Sequence, residues 1–314
     1  GSVKTTLLYQ LIRARAENGE KSILLVPEQF SSSTEGRIYR ELGDALSGMV
    51  ESFSFTSLAE KILSTEGGAA GQTLSDAGRA VLVRRALEEL QDNVHYYHRH
   101  RRSAAFCQMA AQTIDELKSA GLSGQQLAQL AGACGAESGK LSELALIFQG
   151  YETLLARSGM DPSDRLELAG ARLEEALARH SLPEFLRDRA VFIDEFDTFT
   201  APKKRLMGAM LAALPRVTVA RGDDGAPLLP GDLSLFSGAK QVAAQLRQLA
   251  RKNGAEVAAP QLLRKDLRHR NAPGLAAVAE LLETGSCTAD APAGEVRLYA
   301  SPSREEEARA AAGD

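Results

Sequence analysis

Two groups of residues in this chain have the types and spacing to handle phosphate chemistry. The first is Asp194-Glu195, which directly follows Val191, Phe192 and Ile193. A short apolar, β-rich run bounded by charge (Arg187, Asp188 and Arg189 stand before it) reads as a buried strand of a parallel sheet. Ligands of open α/β sheets collect beyond the carboxyl ends of the strands. Two adjacent carboxylates delivered there can hold Mg²⁺ and orient a water for phosphoryl transfer. A solvated acidic turn is the plainer account of the same pair. The second group is Gly1-Ser2-Val3-Lys4-Thr5-Thr6, followed by Leu7, Leu8, Leu11 and Ile12 at helical spacing. A Gly/Ser turn and then Lys-Thr opening a helix is the second half of a phosphate-binding loop, in which amides and lysine meet the phosphates and the hydroxyl meets the metal. Val3 stands where that motif has a glycine, and a β-branched residue there is a poor substitute. An ordinary helix N-terminus is the competing account.

Other candidates are local. His95-Tyr96-Tyr97-His98-Arg99-His100-Arg101-Arg102 is the densest basic and aromatic run. Arginine and tyrosine contact phosphates and stack on bases, which makes Arg99, Arg101 and Arg102 candidate DNA contacts, although a solvated connection between helices explains the run as well. Its three histidines have no cysteine or further histidine nearby for a zinc site. Arg264, Lys265, Arg268 and Arg270 form a second basic cluster, for which a surface loop is the alternative. Asp223 and Asp224 follow another strand and either assist Mg²⁺ or simply make an Asp-Asp-Gly turn. No Ser/His/Asp or Cys/His arrangement marks a nucleophile.

The elements that must position these residues alternate along the chain. After the first helix, which stops near Asn18-Gly19, Ser22–Pro27 reads as a buried strand. Glu28–Ser33 reads as a polar loop leading to a helix over Glu35–Leu42, then Val50–Phe55 as a strand, and Thr56-Ser57 as the cap of a helix through Leu63. Strand–helix–strand–helix at this spacing calls for a parallel sheet with right-handed crossovers. From Leu74 to about Arg179 the pattern is helical throughout, with helices opening at Ser75-Asp76 and then near Phe106–Leu117, Gln125–Leu130, Leu141–Leu155 and Asp164–Ala178. The strand at Val191–Ile193 resumes the sheet, a helix follows Pro202, and Val217–Ala220 is a fourth strand. Beyond it, 226–238 is loop-like, Ala239–Lys252 is an amphipathic helix, and Leu275–Leu282 is another helix. Val296–Ala300 reads as a fifth strand and Ser301–Gly313 as a helix rich in glutamate at its start. The expected division is a discontinuous sheet domain over 1–71 and 184–225, a helical insertion over 72–183, and the beginning of a second core domain over 226–314. No strand leads into Gly1, so the chain reads as a fragment.

Composition narrows the class. With 44% hydrophobic and 25% charged residues, the chain has the make-up of a globular domain. A net charge of −4 restricts any nucleic-acid surface to a local patch. Cys107, Cys134 and Cys287 lack CxxC spacing, which fits reduced thiols of the cytoplasm and argues against a metal or iron–sulfur site. No apolar run has the length of a membrane span.

Four stretches taken together carry a resemblance: Leu24-Leu25-Val26-Pro27-Glu28-Gln29, Glu51 through Ala59 (with the run SFSFTSLA), Phe192-Ile193-Asp194-Glu195-Phe196, and Ser303-Arg304-Glu305-Glu306-Glu307. In this order and spacing the chain resembles the N-terminal, helicase-like part of AddB-type subunits of bacterial ATP-dependent helicase/deoxyribonucleases, relatives of the UvrD-like superfamily 1 helicases. The resemblance implies a RecA-like P-loop NTPase core with a helical insertion, and a partnership with a larger AddA-type helicase/nuclease subunit. It also implies work on double-stranded DNA ends and single-stranded DNA in recombinational repair. On matched positions Lys4 and Thr5 would face nucleotide phosphates and Mg²⁺, Asp194 would bind Mg²⁺ through water, and Glu195 would position the attacking water. The nuclease domain and iron–sulfur cysteines of that family lie outside the matched region. In many such subunits the helicase site is degenerate, so the alternative is an inactivated helicase fold that binds DNA and scaffolds its partner. A stand-alone P-loop kinase is a third, weaker alternative.

Overall fold

The computed structural model describes residues 2–68, 73–135, 138–223, 225–263, 269, 271–286, 296–297 and 299–313. Helix α1 (Ser2–Glu17) leads into strand β1 (Ser22–Leu25), a 3₁₀ turn (Glu28–Phe30) and helices α2 (Ser31–Leu42) and α3 (Asp44–Ser47). Strand β2 (Val50–Phe53) and helix α4 (Phe55–Glu66) follow. A helical block comprises α5 (Asp76–Glu89), α6 (Ala104–Ser119), α7 (Gly124–Ala131), α8 (Ser138–Ser158) and α9 (Pro162–Ala178). The sheet resumes with β3 (Ala190–Ile193), α10 (Ala201–Ala213) and β4 (Arg216–Val219), and α11 (Ser237–Lys252), α12 (Pro273–Thr284) and α13 (Arg304–Gly313) complete the chain.

The four strands are parallel in the order β2-β1-β3-β4. β1 and β3 are buried at every position because both sheet faces are covered, which is why they read as unbroken apolar runs. Side chains alternate across the sheet. Ile23, Leu25, Val191 and Ile193 point to a core shared with α4, α9 and α10. Leu24, Ala190 and Phe192 point to the opposite core, under α1 and α2. Each large apolar side chain among them, fully buried, contributes about 1.5–3 kcal/mol. β2 lies on one side of β1 and β3 on the other, so the strand order reverses between β1 and β3. In open parallel sheets a crevice opens beyond the carboxyl ends at such a reversal.

The helical block has its own core, with Val83, Leu87, Ile114, Ile147, Phe148 and Tyr151 at its centre. α9 behaves differently from its neighbours. Leu166, Ala169 and Leu173 pack into the sheet-side core, and its buried Arg165 pairs with Glu60 of α4. A polar cluster fastens α6 and α8 to the start of α9: Lys118 Nζ lies 2.9 Å from Asp161 Oδ2 and 2.8 Å from Asp164 Oδ2, while Tyr151 donates to Asp161 Oδ1 at 2.7 Å.

Three local expectations are corrected. Glu28–Ser33 is not a loop: its first half is a 3₁₀ turn, and α2 already starts at Ser31. The cap of α4 is Ser54, not Thr56-Ser57; Ser54 and Ser57 exchange side-chain and backbone hydrogen bonds in a capping box. Of the expected fifth strand, Leu298 lies outside the described residues, and Val296, Arg297, Tyr299 and Ala300 are not in a strand. Among the described residues no helix is long and apolar enough to cross a membrane.

Candidate functional site

The switch point between β1 and β3 is where the two groups of chemistry-bearing residues meet. After Ile193 the chain leaves the sheet with Asp194 N still donating to Leu25 O at 3.1 Å, so the backbone that carries the Asp194 side chain is tied to both central strands. Asp194 is only 3% exposed. Its Oδ2 accepts the hydroxyl of Thr5, itself buried, at 2.7 Å, and its Oδ1 accepts the backbone N–H of Glu195 at 3.0 Å. Glu195 is exposed and its backbone sits in the left-handed region, at φ +62°. For a residue with a Cβ that conformation costs about 1 kcal/mol. Thr5 Oγ1 also lies 3.4 Å from Glu195 Oε1. A helix start and a strand end 189 positions apart thus converge through one buried hydroxyl.

Neighbouring groups complete the edge. Lys4, half-buried in the first turn of α1, reaches toward the loop after β4: a Cβ built on Gly222 would stand 3.9 Å from its Nζ. Arg221 donates to Phe196 O at 3.2 Å and to Asp197 O at 3.1 Å, clamping the loop that carries Glu195. Burial lowers the Arg221 pKa from its ordinary value, with Asp197 and Asp223 opposing the shift. Tyr9, one turn along α1 from Thr5, lies under the guanidinium of Arg37, whose Cζ is 5.2 Å from the ring centre. Burial pushes the Tyr9 phenol up to about 12, with Arg37 acting downward and the charge of Asp194 adding to the rise. Arg221 and Tyr9 had no sequence signal as site residues; each looks like an ordinary helix or strand-end residue until the tertiary contacts are formed.

The remaining candidates fall elsewhere. Ser2 and Val3 are already within α1, so the turn expected before Lys4 is helix from Ser2 onward; Gly1 lies outside the described residues. Thr6 is exposed on α1. Asp223 accepts the N–H of Gly225 at 2.7 Å, in keeping with the turn account, and Asp224 lies outside the described residues. Arg99, Arg101 and Arg102 stand on the helical block, not at the sheet edge, while Arg264, Lys265, Arg268 and Arg270 lie outside the described residues. Among the described residues no cluster of three or more His, Cys, Asp or Glu is placed to hold a metal ion.

Comparison with known proteins identifies the family. Residues 1–279 match the family model described as ADDB, N-terminal. The chain belongs to the AddB N-terminal family. Three relatives, each named as the B subunit of an ATP-dependent helicase/deoxyribonuclease, illustrate the similarity. That of Desulforudis audaxviator (strain MP104C) is 32% identical over 325 residues, which covers 99% of this chain and 27% of the relative. That of Anoxybacillus flavithermus (strain DSM 21510 / WK1) is 30% identical over 86% of this chain and 24% of the relative. That of Clostridium perfringens (strain 13 / Type A) is 28% identical, with 86% of this chain and 23% of the relative covered. The chain therefore spans about a quarter of the length of these relatives.

Proposed function

We propose that this chain is the helicase-like part of an AddB-type subunit that works with an AddA-type helicase/nuclease partner on double-stranded DNA ends in the cytoplasm. In this reading the sheet is a RecA-like P-loop core, 72–183 is its helical insertion, 226–314 begins a second core domain, and the switch-point edge binds Mg²⁺ and ATP. The observation that carries the nucleotide site is the 2.7 Å hydrogen bond from Thr5 to Asp194. It holds a hydroxyl at a helix start against a carboxylate at a strand end, the donor set that Mg²⁺ takes up beside a nucleotide. Thr5 and Asp194 would hold the metal, Lys4 would meet the phosphates, and Glu195 would orient water. The bound metal would supply charge to polarise the phosphates and their leaving group. The iron–sulfur cluster of the wider family is not part of this reading.

A second reading has its own support. Val3 occupies the motif's glycine position, and a β-branched residue there hinders the backbone from closing its amides around a phosphate. On that account the fold is an inactivated helicase that binds DNA and scaffolds its partner. Titration with N-methylanthraniloyl-ATP separates the two. The chain has no tryptophan, so the probe's own anisotropy is the signal. Saturable, Mg²⁺-dependent binding that is lost in Lys4→Ala and Asp194→Asn is the expected result. An absence of saturable binding, with Lys4→Ala making no difference, would leave the scaffold reading in its place.

A further inference from the structure

The basic run 95–102 is not a slack connection between α5 and α6. Glu143, a buried residue of α8, accepts the backbone N–H groups of three consecutive residues in that run. Its Oε1 takes His95 at 2.7 Å and Tyr96 at 3.0 Å, and its Oε2 takes Tyr96 at 2.8 Å and Tyr97 at 3.2 Å. One turn earlier on the same face, Gly139 leaves room for the Tyr96 ring. A Cβ there would stand 2.7 Å from Tyr96 Cε2, 3.2 Å from its hydroxyl and 3.3 Å from Cζ. The tyrosine pair is split by this arrangement. Tyr97 turns inward and stacks on Phe106 with centroids 5.3 Å apart, joined by His100 at 5.6 Å. Tyr96 is seated on α8 yet 58% exposed.

The segment that carries the presented ring is rich in arginine. No acidic residue occurs between Asp92 and Asp115, while Arg99, Arg101, Arg102 and three histidines do. Arg101 Nη1 lies 3.0 Å from His98 Nε2, and among the described residues no carboxylate pairs with Arg99, Arg101 or Arg102. An exposed aromatic ring seated on α8, in a segment whose guanidinium groups have no carboxylate partner among the described residues, has the composition of a single-stranded nucleic-acid groove: stacking is tolerant of base identity, and arginines follow the phosphates. A duplex, whose bases are already stacked, offers the ring nothing.

We propose that Tyr96, Arg99, Arg101 and Arg102 form a contact platform for single-stranded nucleic acid, with Gly139 and Glu143 as its positioning residues. The proposal deepens the DNA-handling reading above and rests on it, but it is independent of the nucleotide site. The test is fluorescence anisotropy of the protein with a labelled oligothymidylate of about 16 nucleotides, at salt from about 50 to 200 mM. Tyr96→Ala is expected to weaken binding about 5- to 140-fold and Tyr96→Phe to leave it near the original value. Neither changes the slope of affinity against salt. Replacing all three arginines by alanine reduces that slope by about 2. Gly139→Ala displaces the ring and weakens binding with the slope unchanged, a signature that a purely structural glycine would not produce.

The proposal is overturned if Tyr96→Ala and Tyr96→Phe both bind the strand as tightly as the unaltered protein. If the arginine variant is silent too while DNA still binds, the DNA-handling reading survives and its surface lies elsewhere. If the oligothymidylate fails to bind even at low salt, the platform falls; if a duplex with a frayed end fails as well, the DNA-handling reading falls with it. If polyglutamate displaces the strand as well as unlabelled oligothymidylate does and the tyrosine variants are silent, the face belongs to an acidic protein instead.

Discussion

Removing the Thr5 hydroxyl tests whether the meeting of α1 with β3 is an energetic link or a mere approach. Thr5→Ala deletes a hydrogen bond to a buried carboxylate, worth about 1.5–3 kcal/mol, and one methyl group, worth about 0.8 kcal/mol. Together these cost roughly 2–4 kcal/mol. Thr5→Ser keeps the donor and loses only the methyl, so its cost stays near 1 kcal/mol. Asp194→Asn retains an oxygen for the Glu195 amide at the 3.0 Å position and turns the bond with Thr5 into a neutral one. In that background the hydroxyl is worth only about 0.5–1.5 kcal/mol, so the double-mutant cycle should give a coupling of about 1–1.5 kcal/mol. Urea denaturation followed by far-UV circular dichroism is the assay, since the chain lacks tryptophan. Equal costs of Thr5→Ala in both backgrounds, with coupling below about 0.3 kcal/mol, would refute the bond as the feature that joins the two halves of the site.

Three further outcomes are expected. Lys118→Ala strands the buried carboxylate of Asp161 and should cost about 3–5 kcal/mol in urea denaturation. Burial lowers the Lys118 pKa, but hydrogen bonds and charge from Asp164 and Asp161 raise it by more, so its net shift is upward from 10.5. The folded state thus holds this proton more tightly than the unfolded chain: the stabilisation is complete below pH 10.5 and fades as pH rises through the folded-state value, which denaturation at alkaline pH should register. Gly124→Ala places a Cβ 2.9 Å from the backbone N of Gln149, so α7 and α8 must part and stability should fall by about 1–3 kcal/mol. Glu195→Gly relieves a left-handed backbone at φ +62° and should raise stability by about 1 kcal/mol in the same denaturation assay. If Glu195 positions water, phosphate release from ATP disappears in that variant.

The sheet and most helices were legible because their physics is local. Buried parallel strands need apolar side chains on both faces, and Ile23–Val26 and Val191–Ile193 show that as unbroken runs. Sequence pattern and structure part where two local signals compete. Phe53-Ser54-Phe55 continues the alternation of a strand, which hid Ser54 as a cap; the box it makes with Ser57 is visible only once the helix is formed. Ser31-Ser32-Ser33 has loop composition, yet α2 runs through it, anchored by Thr34, Ile38 and Leu42 on its buried face. Tertiary placement was less legible still. α9 has the same kind of apolar stripe as its neighbours in the helical block, but it packs on the sheet through Leu166, Ala169 and Leu173. The types in the candidate site could be named in advance, whereas the contact of Thr5 with Asp194 could not, since nothing local couples residues 189 positions apart. Glu143 carried no signal at all: an acid on a long helix reads as solvent-facing until the amides it receives are in place.

Asp194 and Glu143 are both buried carboxylates at the meeting of distant segments, and their hydrogen bonds distinguish what each can do. An ionised carboxylate offers about four acceptor positions. Glu143 takes four contacts from three amides and is saturated by backbone. It can position a loop, and it has no capacity left for a cation. Among the described residues Asp194 takes two contacts, from the Thr5 hydroxyl and the Glu195 amide, which leaves acceptor capacity beside a hydroxyl that is itself a possible metal ligand. The difference has a measurable consequence. If Mg²⁺ binds the folded chain at this edge, saturating it at about a hundredfold its dissociation constant stabilises the fold by about 2.7 kcal/mol. The gain in thermal stability should persist in Glu143→Gln and vanish in Asp194→Asn. The reverse pattern, with Asp194→Asn still responding to Mg²⁺, would remove the metal from the sheet edge and leave Asp194 with the structural task that Glu143 performs on the helical block.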